Sequence, residues 1–125
     1  LRPKCYDAYA NIGVRLLAQG KITEGIEHLR YAVQLAPLSA TIRLAYANGL
    51  VQAKRYDDAI AECEEAVRLA PSLAVARLEL GAVLVVVGRY ELARAQLLTA
   101  LELQPDFPLA RNLLSTVESQ LSEKH

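Results

Sequence analysis

Histidine and cysteine are the side chains best suited to move protons, attack carbonyls or hold a transition metal near neutral pH. This sequence has two of each, His28 and His125, Cys5 and Cys63. None belongs to a Cys-x-x-Cys pair or to a serine or carboxylate arrangement that marks a nucleophile or a zinc site. His28 reads as a surface residue of a helix. The two cysteines are too few for a disulfide framework and fix no redox compartment. The six glycines, Gly13, Gly20, Gly25, Gly49, Gly81 and Gly88, have the spacing of helix contacts and turns, with no phosphate-cradling loop. The expectation is a chain that is not an enzyme and needs no metal or cofactor. What remains is binding chemistry. Arg43, Arg77 and Arg111 recur every 34 residues and form a candidate anion row. The alternative is that each lays its methylenes over a neighbouring helix and keeps its guanidinium in water. Asn48, an amide among apolar neighbours, is a candidate for bonding a partner's backbone or for capping a local interaction.

The elements that carry these residues follow from a period. Prolines stand at Pro3, Pro37, Pro71 and Pro105, each 34 residues after the last. Ala32, Ala66 and Ala100 precede the three later prolines by five residues. Small residues recur at Gly13, Ala47 and Gly81, and at Gly25, Ala59 and Ala93. Leu16, Leu50 and Leu84 supply the large apolar counterpart. Spacings of three and four place the apolar residues of each unit on helical faces, and the proline, which cannot continue a helix, separates the units. The pattern predicts helices over 6–19, 22–35, 40–53, 56–69, 74–87, 90–103 and 108–122, with breaks at Gly20, Lys54 and Gly88. Small residues at matching places let backbones approach closely, so a bulky residue at Ala59 or Ala93 is expected to overpack the contact.

At 125 residues with 53% hydrophobic content, the chain suits one domain with a continuous core. Fourteen basic residues balance fourteen acidic ones, so no basic stripe exists to neutralise phosphates, and nucleic acid and anionic membrane are poor partners. The longest apolar run, 82–87, is far below the roughly 20 residues that span a bilayer. The expectation is a soluble segment without membrane insertion, its compartment open between cytoplasm and periplasm.

Three units in register resemble the tetratricopeptide repeat. Tyr9, Ile12, Gly13, Leu16, Gly25, Leu29, Ala32 and Pro37 carry its pattern in the first unit. Arg43, Tyr46, Ala47, Leu50, Ala59, Cys63, Ala66 and Pro71 carry it in the second, and Arg77, Leu80, Gly81, Leu84, Ala93, Leu97, Ala100 and Pro105 in the third. The resemblance implies an all-α fold, an α-solenoid of about seven helices paired antiparallel in a right-handed superhelix. It gives repeats at 6–39, 40–73 and 74–107 and a capping helix at 108–122. Pro3 occupies a unit-ending position, so the segment is expected to be the C-terminal part of a longer protein.

The family geometry implies a mostly apolar concave groove for a peptide or helical segment of a protein partner. It is lined by Ala10, Val14 and Leu17, by Thr41, Leu44, Asn48 and Val51, and by Val75, Leu78, Ala82, Val85 and Val86. For Val83 and Val85 to Val87, packing against neighbouring helices is the competing reading. The two-carboxylate clamp of some family members is not expected, because its places hold Ala10, Val14, Ala45, Val75 and Glu79. An asparagine ladder is also absent. Two further readings stay open: a non-catalytic recognition arm of a larger enzyme such as a membrane glycosyltransferase, and homo-oligomerisation through a groove filled by another copy's end helix.

Overall fold

Each predicted helix is present, with ends displaced by no more than one residue. The computed structural model describes residues 5–123, and Pro3 lies outside them. The helices are α1 (Cys5–Ala18), α2 (Ile22–Leu35), α3 (Ala40–Gln52), α4 (Tyr56–Leu69), α5 (Ala74–Val86), α6 (Tyr90–Leu103) and α7 (Pro108–Glu123). Among the described residues no helix is long and apolar enough to cross a membrane.

The breaks inside the hairpins share one geometry. Gly20, Lys54 and Gly88 all have positive φ, at 82°, 62° and 81°. After each, the next residue's N–H reaches back to the helix: Lys21 to Leu16, Arg55 to Leu50 and Arg89 to Leu84, at 2.8–2.9 Å. The left-handed residue's own N–H bonds the carbonyl one position further on, at Leu17, Val51 and Val85. These paired bonds satisfy carbonyls that a helix end otherwise leaves orphaned. The second helix of each hairpin then starts with an acid in its first turn, at Glu24, Asp57, Asp58 and Glu91, where the dipole favours negative charge.

The chain divides between Leu69 and Ala70 into two compact units. In the first, α1 and α2 meet backbone to backbone. A Cβ placed on Gly13 would lie 2.7 Å from Leu29 Cγ, and one on Gly25 would lie 2.9 Å from the Gly13 carbonyl oxygen. Leu29, Ala32, Leu50, Ala59, Cys63 and Ala66 fill the core of this unit. In the second unit Leu97, Ala93, Ala100, Ala110 and Val117 are fully buried. No charged or polar side chain is buried among the described residues, so burial of apolar surface is the dominant stabilising term in both units.

Candidate functional site

The arginine row is already committed to holding the fold. Arg43 Nε donates to the Pro37 carbonyl at 3.0 Å, and Arg111 Nη2 to that of Pro105 at 2.8 Å. Arg77 Nη2 reaches the Pro71 carbonyl at 3.4 Å. Each guanidinium thus brackets the turn after a periodic proline, six residues upstream. A second bond runs across the hairpin, from Arg43 to Glu62 at 2.8 Å and from Arg77 to Gln96 at 3.3 Å. At the equivalent place in the first hairpin Tyr9 faces His28 with ring centroids 6.1 Å apart, and it also meets Tyr31 edge-on at 4.6 Å. The arginine bonds agree with the alternative in which each arginine lies over its own hairpin. Arg43 and Arg77 are thus turned towards their own hairpins, Arg43 onto a carboxylate and Arg77 onto an amide oxygen, while Arg77 Nε is buried without a hydrogen-bond partner.

Exposure sorts the expected groove residues into two sets. Leu17, Leu44 and Leu78 are only 5%, 8% and 8% exposed, so the first two act as core, and Leu78 shows no more than an edge. Leu17 packs where Gly25 and Gly49 lack side chains. Ala10, Val51, Ala82 and Val85 are half-buried, whereas Val14, Thr41, Asn48, Val75 and Val86 are exposed. Val83 is in the core and Val87 is half-buried. The outward stripe of α3 is Thr41, Ala45, Asn48 and Gln52, and that of α5 is Val75, Glu79, Ala82 and Val86. The two stripes share the 34-residue register. They differ in chemistry, polar on α3 and apolar around one carboxylate on α5.

In the second unit Leu78, Glu79 and Ala82 of α5 form one wall of a cleft whose other wall is α7. Its lining is Leu78, Glu79, Ala82, Leu109, Asn112, Leu113 and Thr116, and its volume is about 360 Å³. The α7 residues are spaced by three and four, so one helical face turns into the cleft. Glu79 is half-buried and makes no hydrogen bond or ion pair among the described residues. Burial raises its carboxyl above the ordinary carboxylate range, because a poorly solvated site disfavours the charged form. Sequence reasoning did not assign Leu109, Leu113 and Thr116 to a site, although they stand 34 residues after Val75, Glu79 and Ala82. Extending the repeat register through the last helix would have found them. Among the described residues no cluster of three His, Cys, Asp or Glu side chains offers a metal site.

The tetratricopeptide repeat pattern matches residues 10–74 and, in a second version, residues 50–116. The chain belongs to the tetratricopeptide repeat family. Solved tetratricopeptide domains share its fold closely. The first such domain of human RPAP3 superposes with a TM-score of 0.93 at 24% identity, covering 98% of this chain and 97% of that one. The first domain of Spaghetti (RPAP3), bound to the HSP90 peptide SRMEEVD, gives 0.91 at 23% identity, with the same coverage. The Sgt2 domain from Aspergillus fumigatus gives 0.91 at 17%, covering 95% of this chain and 80% of that one. At such identities the likeness concerns the fold of this tetratricopeptide chain. Among curated proteins no sequence matches it.

Proposed function

We propose that this chain is a protein-interaction module that holds a short segment of another polypeptide in the α5–α7 cleft. The observation that carries the reading is the cleft itself, about 360 Å³ with a mostly apolar lining and a few polar groups at its wall. Sites of this size suit one or two side-chain anchors, which supply most of the binding energy of a peptide. Asn112 and Thr116 add polar atoms able to fix the orientation of a peptide backbone. In the first unit Val14, Thr41 and Asn48 are the exposed residues proposed to meet a partner. The balance of fourteen acidic and fourteen basic residues favours a polypeptide partner over nucleic acid. That solved relatives of the same fold include complexes with HSP90 and HSP70 peptides supports a peptide as the class of ligand.

The test is selection from a random peptide library displayed on phage, followed by mapping on the ¹⁵N-labelled chain. Amide shifts are expected to cluster around Leu78, Ala82, Leu109 and Leu113. Ala82→Arg should remove binding by filling the cleft, with the helical circular dichroism unchanged. Selected peptides that map to the outward faces of α2, α4 or α6 and still bind Ala82→Arg would overturn the reading.

A further inference from the structure

The α5 stripe is apolar at Val75, Ala82 and Val86 and carries Glu79 in its middle. Across the cleft α7 offers Leu109, Leu113, Asn112 and Thr116, and no lining residue is basic. The arginines nearest in sequence on these two helices are engaged elsewhere, Arg77 with Pro71 and Gln96 and Arg111 with Pro105. Glu79 therefore has no counter-charge from the described part of its own unit.

An occupant decides what happens to this carboxylate. Covering it with an apolar side chain would strip its remaining water and leave a buried unpaired charge, which is costly. Covering it with another carboxylate would add repulsion. A lysine or arginine removes the penalty, and its methylenes suit the valine and alanine on either side while the charged head meets the carboxylate.

Resting on the peptide-binding reading above, we propose that the segment held in this cleft presents a lysine or arginine to Glu79, flanked by apolar side chains that face Leu109 and Leu113. The half-buried, unpaired state of Glu79 and the absence of any basic lining residue are the grounds for it. The raised protonation range of the carboxyl is a consequence of the same burial.

The experiment is parallel phage selection of random peptides on the wild-type chain and on Glu79→Lys, with binding measured by calorimetry and located by ¹⁵N shifts. Wild-type selections are expected to be enriched in lysine or arginine beside apolar residues, and Glu79→Lys selections in aspartate or glutamate. Glu79→Gln should weaken the wild-type binders roughly tenfold, the scale expected for a partly desolvated ion pair. Circular dichroism establishes that each variant is folded. Cleft-bound peptides without basic residues, indifferent to Glu79→Gln, would overturn this inference and leave the peptide-binding reading standing. Selections that yield no cleft-bound peptide at all would overturn both.

Discussion

Lys54 is the one residue other than glycine with positive φ among those described, at 62°. It fills the place that Gly20 and Gly88 occupy in the other hairpins, and its backbone makes the same turn bonds. An L-residue in this region costs about 1–2 kcal/mol, part of which glycine returns through its freer unfolded chain. Lys54→Gly is therefore expected to stabilise by up to about 1 kcal/mol, a rise in Tm of roughly 3 °C. Gly88→Ala should move Tm the other way. Because a Cβ there meets nothing within 4 Å, that loss would come from the backbone alone. Thermal unfolding of both variants checks the pair, and a lower Tm for Lys54→Gly would contradict the reading of the turn. Glu79 sets a second residue-scale expectation. Its carboxyl titrates above the ordinary range in the folded chain, so between the ordinary and the raised values the native state holds more protons than the unfolded state. Stability on that account is full below the unfolded pKa and is lost as pH rises through the folded one. Glu79→Gln should thus be more stable than wild type at pH 7, with the gap closing as pH falls well below the ordinary glutamate pKa of about 4.3, where the carboxyl is neutral in both states. Denaturant midpoints across that range measure it; a constant gap would mean that the carboxylate is not poorly solvated.

At the scale of elements, the prolines and small residues made the helix limits legible, because a ring that clashes with the preceding turn and a left-handed turn residue punctuate the chain unambiguously. Which face a helix turns outward was less legible. A helix packed on more than one side has an apolar arc wide enough that Leu17 and Leu44 look like groove residues, yet both are buried. Residues that do face outward, such as Ala45 and Glu79, carry no apolar signal. The arginine row was legible only in part for a similar reason: spacing marked a repeated role but not that its acceptors include the carbonyls of Pro37, Pro71 and Pro105. This bracket makes its own prediction. Arg43→Met should remove the bonds to Pro37 and Glu62 and destabilise by about 1–2 kcal/mol, the cost of a lost charge-assisted bond with its acceptor left half-buried. Adding Glu62→Gln should recover part of the loss, because the residues are coupled; strict additivity in urea unfolding would break the proposed link. Ala93, fully buried beside α5 and α6 core residues, tolerates no added volume, and Ala93→Leu is expected to cost about 1–3 kcal/mol. A wild-type melting temperature for that variant would show that the site has room.

For the whole molecule, likeness of fold names no ligand, and the surface chemistry has to be read by itself. The chain superposes on the Spaghetti (RPAP3) domain with a TM-score of 0.91 at 23% identity, and that domain is bound to SRMEEVD. The peptide carries two glutamates, an aspartate and, at its end, a carboxylate. The sequence places that carry a two-carboxylate clamp in some family members hold Ala10, Val14, Ala45, Val75 and Glu79 in this chain, none of which is basic. A repeat fold fixes where side chains stand and leaves their chemistry free, so function has to be argued from the site. Without a cation to offset its desolvation, the peptide's carboxylate loses its water for no return, and Glu79 adds repulsion. SRMEEVD is therefore expected to show no binding to this chain tighter than about 1 mM, the level of a weak encounter worth about 4 kcal/mol. Isothermal titration at low ionic strength is the stringent condition, since long-range charge effects are then least screened. Saturable micromolar binding there would mean that cations outside these five places hold the terminus, and it would remove the electrostatic case against an acidic partner. Weak binding that strengthens in Glu79→Lys would instead show that one side chain on α5 helps to turn this surface away from acidic termini.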